Sequence, residues 1–232
     1  MGERVEIRWL EIDRIDAAAW PRLEALLDEA ERAHAARFRR EADRRAYVAA
    51  HGLTRLALSD WAPVSPEDWR FGAAPGGKPH IVQPAGGGKP LSFNLSHTSR
   101  LVAVAVTRAG EVGLDVETMA DDRLDPAVAA DQFSPAEVEW LAGQPAAARG
   151  EAFAGLWTLK EAVLKAEGGG LGQSLAAFTV TLDPPTVSGR PGPWLLRRFR
   201  PIPDHLGALA LRRSDDGRVV VSARPAAGWP PA

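Results

Sequence analysis

The sequence has no cysteine among its 232 residues. Disulfide bonds, thiolate zinc sites and cysteine nucleophiles are therefore excluded. No apolar run approaches the roughly 20 residues that a membrane-spanning helix needs, and the N-terminus shows no basic-then-apolar secretion signal. Lys and Arg total 28 against 30 Asp and Glu, whereas nucleic-acid-binding domains are usually strongly basic. We therefore expect a cytoplasmic protein with no membrane or nucleic-acid partner.

The order of helices and strands predicts an α+β fold. The hydrophobic fraction of 45% is that of an ordinary globular protein. A strand, helices and paired strands are followed by helices and a run of strands, which favours α+β over a parallel α/β sheet. Similar elements recur in residues 1–109 and 110–232. A duplicated module, with an antiparallel sheet and helices packed on it in each half, is one interpretation of this order, although no repeat is visible residue by residue.

Local signals mark turns and one helix start. Ala109-Gly110, between two apolar runs, predicts a β-hairpin at the midpoint of the chain, and Asp216-Gly217 predicts a second hairpin. Ser134, Pro135 and Glu137 combine a capping serine, a proline at the first helical position and the glutamate of a capping box. A helix is expected to begin there.

Two carboxylates share one face of a predicted strand. In a strand over residues 111–118, Gly113, Asp115 and Glu117 point one way, and the apolar residues between them point the other way. Adjacent carboxylates repel each other unless a cation lies between them. Mg2+ fits because it takes oxygen ligands and often uses one or two carboxylates with substrate phosphates. The alternative is an edge strand with an exposed acidic face.

A polar stripe lies on an otherwise apolar helix. Trp157, Glu161 and Lys165 are four residues apart and therefore share one side of the helix. Because Val163 and Leu164 are apolar, the stripe would lie near the edge of the core. A third metal ligand and a phosphate-facing lysine are expected at such a place. The alternative is an ordinary surface pair of glutamate and lysine.

Basic side chains and glycine loops in the first half suit phosphate groups. The basic run includes Arg32, His34, Arg37, Arg39 and Arg40. Arginine's planar fork matches phosphate oxygens, although a solvated helix face would look the same. Gly-Lys-Pro occurs at 77–79 and again at 88–90. Glycine lets a backbone approach a ligand closely, and a plain surface loop is the alternative.

Taken together, these residues resemble the 4'-phosphopantetheinyl transferases, of the larger surfactin-synthetase-activating type. The hallmarks of that family are a Gly-Lys-Pro loop, Phe-Asn-x-Ser-His, Gly-x-Asp-x-Glu and Trp-x-x-Lys-Glu-x-x-x-Lys. They stand here, in family order, as Gly77-Lys78-Pro79, Phe93 to His97, Gly113 to Glu117 and Trp157 to Lys165. The resemblance covers roughly residues 30–180.

The resemblance implies a pseudo-dimer of two α+β halves with coenzyme A in the cleft between them. It implies Mg2+-dependent transfer of the 4'-phosphopantetheine arm of coenzyme A to a serine of an apo acyl or peptidyl carrier protein, with release of 3',5'-ADP. Because the fold is duplicated within one chain, a monomer is expected to be sufficient.

The resemblance also implies residue roles. Asp115, Glu117 and Glu161 would hold Mg2+ against the pyrophosphate of coenzyme A, and Asp115 would count among the cofactor-binding residues. Glu161, or a water on the metal, would take the serine proton, and Lys165 would neutralise charge on the pyrophosphate. Lys78, Ser96 and His97 would contact coenzyme A. Of the two Gly-Lys-Pro loops, the one with Lys78 fits the family spacing better.

Some points stay open. Glu31 and His34 stand where family members often have lysine or arginine, so nearby Arg32 and Arg37 are the substitutes to consider for contacts with the 3'-phosphate of coenzyme A. Which of Arg32, His34, Arg37, Arg39 and Arg40 meets that phosphate stays open. A Mg2+-dependent phosphoesterase would also need clustered acids and a lysine, and a catalytically silent coenzyme A-binding module is a third interpretation. If the protein is a transferase, the carrier is expected to dock on apolar residues near Phe133–Leu141.

Overall fold

The computed structural model describes residues 3–84, 89–119, 128–169, 173–215 and 217–226. Its first half consists of strand β1 (Glu3–Glu11), helices α1 (Trp20–Leu26), α2 (Glu29–Ala35) and α3 (Glu41–Ser59), and strands β2 (Arg70–Ala73), β3 (Pro79–Gln83), β4 (Ser92–His97) and β5 (Leu101–Thr107). The second half consists of β6 (Glu111–Thr118), α4 (Ala129–Gln132), α5 (Pro135–Ala142), α6 (Ala146–Glu167), β7 (Thr179–Leu182), β8 (Pro185–Ser188), β9 (Trp194–Phe199), β10 (His205–Arg212) and β11 (Val219–Pro225).

The two halves repeat the same arrangement. The main sheet of the first half has the strand order β11-β1-β5-β4, and that of the second half has the order β6-β10-β9. With β11 set aside, each half therefore holds its first strand, its last strand and the preceding strand in the same spatial order. Each also has one long helix, α3 or α6, and one two-stranded sheet, β2-β3 or β7-β8. The predicted pair of similar α+β halves is confirmed.

The last strand departs from this symmetry. β11 pairs in parallel with β1, with Glu3 opposite Val219, and so lies in the sheet of the first half. The predicted division between residues 109 and 110 stays a prediction, because the chain returns to the first sheet near its end.

The core has four layers. Apolar residues of α3 pack on the outer face of β5, around Leu53 and Val104, while the inner faces of the two sheets pack on each other. Helix α6 covers the outer face of the second sheet, with Ala162 and Ala208 in one cluster. Within the described ranges, no helix is both long and apolar enough to cross a membrane.

Both hairpin predictions are wrong. β5 pairs with β1 and β4, β6 pairs with β10, and β11 pairs with β1, so the strands that flank each predicted turn do not pair with each other. Asp216 of the second turn lies outside the described residues. The physical reason is burial, because β5 and β6 are apolar enough to be covered on their faces by the opposite sheet or by a helix. Gly110 makes the change of sheet possible, since its φ is +147° and a Cβ there would lie 2.2 Å from the Arg212 carbonyl oxygen.

Candidate functional site

Three of the predicted site residues, Lys78, Glu161 and Lys165, line a cleft between the two halves. A cavity of about 860 Å3 has walls from both halves. The residues that line it and matter here are His51, Lys78 and Asn94 from the first half, and Trp157, Glu161 and Lys165 from the second. A ligand in this cleft would contact both halves at once.

Asp115, Ser96 and Lys165 form a hydrogen-bonded cluster beside the cleft. The Lys165 ammonium donates to Asp115 Oδ1 at 2.6 Å and to Ser96 Oγ at 3.1 Å. The Ser96 hydroxyl in turn donates to the same Asp115 oxygen at 3.1 Å. Asp115 is only 3% exposed. The sequence prediction that these residues act at one place is therefore consistent with their contacts.

A glycine brings helix α6 close enough to make this cluster. Gly113 lies on the same face of β6 as Asp115, and a Cβ on Gly113 would come within 1.9 Å of the Ala162 carbonyl oxygen. No side chain can occupy that space, so only glycine allows α6 to lie directly on β6. Lys165, one turn after Ala162, then reaches Asp115.

Glu161 lies one turn before Lys165 and lines the cleft. Burial raises the pKa of its carboxyl group, the nearby negative charge of Asp115 raises the pKa further, and Lys165 partly opposes the rise. A carboxyl group with a raised pKa is a better proton acceptor than an ordinary exposed one. Glu161 therefore has the environment of a general base, next to a lysine that can balance negative charge.

Two observations bear on a divalent metal. Asp115 Oδ2 is buried and has no hydrogen-bond partner. In addition, the negative charge of Asp115 repels that of Glu161. A cation that prefers oxygen ligands would bind the unpartnered oxygen and would offset the repulsion between the two carboxylates. Within the described ranges, however, no three His, Cys, Asp or Glu side chains lie close enough together to hold a metal. The predicted set of Asp115, Glu117 and Glu161 is not assembled as such a group and stays a prediction.

Lys78 lies where the first Gly-Lys-Pro loop touches the end of α6. Its ammonium donates to Glu111 Oε2 at 2.8 Å and to the Ala166 carbonyl oxygen at 3.0 Å. Gly76 permits this contact, because a Cβ there would be 2.0 Å from the Gly168 carbonyl oxygen. Lys78 therefore lines the cleft with its charge already paired.

Of the second Gly-Lys-Pro sequence, the structure describes only Lys89 and Pro90. Its glycines, at 86–88, are outside the described residues, and Lys89 is an exposed residue that pairs with Glu3 at 2.6 Å. Lys89 is absent from the lining of the cleft, which supports the choice of Lys78.

His97 ends strand β4 and remains exposed. Partial loss of hydration lowers its pKa, and the Lys165 and His51 charges lower the pKa further. Its electrostatic neighbours thus come from both walls of the cleft. A neutral imidazole at this place can accept a hydrogen bond from a ligand.

The five basic residues of the first half named above are not among the residues that line the cleft. Arg32 donates to the Leu27 carbonyl and borders a separate open groove, and His34 packs against the rings of Phe38 and Tyr47. Arg37, Arg39 and Arg40 are exposed and absent from the lining. Which of these five residues would meet the 3'-phosphate of coenzyme A therefore stays an open question.

His51 is a basic cleft residue that the sequence analysis missed. Its Nδ1 lies 2.8 Å from Glu31 Oε1, and its ring stacks on Tyr47 with centroids 4.0 Å apart. The buried Arg55 holds the other Glu31 oxygen at 2.7 Å. Glu31 therefore anchors a histidine of the cleft. The spacing of four between Tyr47, His51 and Arg55 is the signal that could have revealed this stripe.

Lys160 faces away from the cleft despite its place in the Trp-x-x-Lys-Glu motif. It is 0% exposed, and its ammonium lies 2.6 Å from both carboxylate oxygens of Glu137 and from the Phe178 carbonyl oxygen. Glu137 also completes the predicted capping box with Ser134 at the start of α5. Lys160 thus joins α6 to α5 and to the start of β7.

The predicted docking region contains an exposed tryptophan. Trp140 is 42% exposed, and it borders an apolar pocket of about 300 Å3 with Leu156, Val180 and Leu182. Phe133 and Leu141 are buried in the core of the second half. Of the segment Phe133–Leu141, Trp140 is therefore the aromatic residue that a partner protein can touch.

Comparisons with known proteins cover both halves. Residues 111–209 match the family model of the 4'-phosphopantetheinyl transferase superfamily, and residues 15–109 match that of the 4'-phosphopantetheinyl transferase N-terminal region. The chain is 33% identical to the 4'-phosphopantetheinyl transferase HetI of Nostoc sp. over 162 residues, which are 70% of this chain and 68% of HetI. It is 34% identical to psf-1 of Bacillus pumilus over 152 residues, 66% of this chain and 62% of psf-1. A Bacillus subtilis 4'-phosphopantetheinyl transferase is 30% identical over 168 residues, 72% of each chain.

Proposed function

The chain belongs to the 4'-phosphopantetheinyl transferase superfamily, and we propose that it transfers the 4'-phosphopantetheine arm of coenzyme A to a serine of an apo carrier protein, with Mg2+ as cofactor. The observation that carries this proposal is the cluster of Asp115, Ser96 and Lys165 beside Glu161, at the wall of an interdomain cleft. It combines a proton acceptor and a cation in a cavity large enough for a cofactor-sized ligand.

The proposed step is a single displacement at phosphorus. The serine oxygen of the carrier attacks the phosphorus that bears the pantetheine arm, and a new oxygen–phosphorus bond forms. The bond from that phosphorus to the bridging oxygen breaks, and its electron pair leaves with 3',5'-ADP. The serine proton passes to Glu161, because a serine hydroxyl is a poor nucleophile until a base takes its proton.

The remaining groups neutralise charge. Phosphoryl transfer depends mainly on positioning and on balancing the negative charge that develops. Lys165 supplies a positive charge one turn from Glu161, and Lys78 and His51 lie on the opposite wall of the cleft. Mg2+, which Asp115, Glu117 and Glu161 would hold, would supply further charge neutralisation at the pyrophosphate.

The carrier partner is proposed to dock near the exposed Trp140. An aromatic side chain beside an apolar pocket is a typical anchor for a protein partner. Because the cleft is built within one chain, we propose that a monomer is the active form.

Intact-mass measurement tests the activity. Purified protein, coenzyme A, Mg2+ and an apo carrier domain are mixed, and the carrier is expected to gain one phosphopantetheine group. Glu161→Gln should lower the rate by about 10²–10⁴-fold, the usual contribution of a general base. The matched control is Glu151→Gln, an exposed glutamate of the same helix that pairs with Arg200, and its rate should stay normal. Hydrolysis of coenzyme A without loading would favour a phosphoesterase, and binding without turnover would favour a silent binding module.

A further inference from the structure

Strand β4 lies along the free edge of β6, but side chains rather than a backbone ladder join the two strands. Three alternate side chains of β4 accept the N–H groups of three alternate residues of β6. The pairs are Ser92 with Val112 at 3.3 Å, Asn94 with Leu114 at 2.8 Å, and Ser96 with Val116 at 3.2 Å. We call this set the side-chain ladder.

The ladder follows from the broken symmetry of the duplicated fold. One edge of β6 pairs with β10, so the N–H groups of its other edge need acceptors. On the equivalent strand of the first half, β1, the corresponding edge is covered by the backbone of β11. No described strand pairs with the free edge of β6, and side chains of β4 take that place.

The middle bond of the side-chain ladder, between Asn94 and Leu114, depends most on the length of the β4 side chain. Leu114 is fully buried, and its N–H has the shortest bond of the three, to the carbonyl oxygen of the buried Asn94 side chain. The serine hydroxyls at the two outer rungs are one atom shorter than the asparagine carboxamide. A shift of β4 by two residues would therefore place a serine opposite Leu114 and leave that buried N–H without a close acceptor. The order of short, long and short side chains specifies one register.

The register decides the geometry of the cluster at the cleft. Ser96, the last rung, also bonds Asp115 and Lys165, and Asn94 itself lines the cleft. We propose that Asn94 is a positioning residue, which holds β4 in register against β6 and thereby keeps Ser96 on the Asp115–Lys165 pair. This inference rests on the proposed function for its effect on catalysis, while its structural part does not.

The test compares three variants by two measurements. Asn94→Ala removes the middle acceptor, Asn94→Asp keeps an acceptor oxygen of the same reach, and Ser92→Ala removes the rung farthest from the cluster. Hydrogen exchange of the Leu114 amide reports the register, and the transfer assay reports kcat and the KM for the carrier. Both are measured well below the thermal midpoint of each variant, so that every variant is folded.

Asn94→Ala should make the Leu114 amide exchange at least about tenfold faster, and it should lower kcat at least about tenfold with the KM for the carrier unchanged. Ser92→Ala should speed exchange at Val112 and leave kcat normal. Asn94→Asp should keep Leu114 protected.

A normal kcat in Asn94→Ala would overturn the inference, as would Asn94→Asp exchanging at Leu114 as fast as Asn94→Ala. If the unmodified chain loaded no carrier, the proposed function would fail instead, and Leu114 exchange in the three variants would still decide whether Asn94 sets the register.

Discussion

Replacement of Lys160 by methionine should strongly destabilise the second half. Lys160 is fully buried, and its ammonium contacts both oxygens of Glu137 at 2.6 Å. Burial lowers the pKa of Lys160, and the hydrogen bonds and charge of Glu137 oppose that change. Methionine fills a similar volume but leaves the Glu137 carboxylate buried without its cation.

The magnitude follows from the partners that remain. In Lys160→Met, the Glu137 carboxylate would keep only the Ser134 and Val180 N–H donors, at 2.8 and 2.7 Å. Breaking a buried ion pair by removing one partner usually costs about 3–5 kcal/mol. In a chain of this length, that loss corresponds to a thermal midpoint lower by roughly 6–20 °C.

Urea unfolding followed by tryptophan fluorescence measures the change in the free energy of unfolding. The double variant Glu137→Gln with Lys160→Met should recover part of the loss, because it removes both charges. Glu151→Gln, which breaks an exposed pair with Arg200, should change stability by less than about 1 kcal/mol. A loss below about 1 kcal/mol in Lys160→Met would refute the reasoning, since it would mean that the buried carboxylate needs no cation.

Three further predictions concern the cleft and the partner surface. The pKa of Glu161 is raised in the folded chain, so its ionisation destabilises the fold. Glu161→Gln should therefore stabilise the metal-free protein at neutral pH, and this gain over the unmodified chain should vanish below the ordinary carboxyl pKa. A gain of the same size at both pH values would contradict this. His51→Ala should weaken coenzyme A binding about tenfold by calorimetry, because a charge-assisted hydrogen bond between the His51 ring and a phosphate group of coenzyme A would be lost. His34→Ala, a change in the same aromatic stack, should leave the affinity unchanged. Trp140→Ala should raise the KM for the carrier about tenfold and leave coenzyme A affinity unchanged, and unchanged carrier kinetics would exclude docking at this tryptophan.

The parts of the site that depend on local periodicity could be predicted from the sequence. Strand alternation placed Gly113 and Asp115 on one face of β6, and that face does meet α6. The spacing of four placed Glu161 and Lys165 on one stripe of α6, and both line the cleft. These predictions succeeded because the orientation of a side chain on a strand or helix is a property of a few consecutive residues.

The parts that depend on distant partners could not be predicted. Lys160 and Lys165 stand in one motif on one helix, yet Lys160 is buried against Glu137 and Lys165 reaches Asp115. Which lysine meets which acid depends on how α5 and β6 pack on α6. The failed hairpins have the same origin, because a turn signal reports the reversal of the chain and not the sheet in which each strand finds its neighbours.

The duplication also raises the question of why the acids of the second half, and not those of the first, form the candidate site. The first strand carries its own polar pair, Glu6 and Arg8, on the face that is equivalent to the Asp115 face of β6. The Glu6 carboxylate is held by Arg8 at 2.8 Å, by Arg224 at 2.7 Å and by the Trp61 ring N–H at 3.2 Å. Its pKa is lowered, because these hydrogen bonds and the arginine charges outweigh the effect of burial.

The carboxylates of Glu6 and Asp115 differ in how many of their oxygens already have partners. Glu6 is neutralised by arginines, one of which comes from the additional strand β11. Asp115 has a single lysine on one oxygen, while its other oxygen is buried without a partner. β11 covers the edge of β1 and supplies Arg224. The Glu6 carboxylate of the first half is therefore held in a structural ion pair. The second half has no such strand among the described residues, and one oxygen of its acid Asp115 keeps no hydrogen-bond partner.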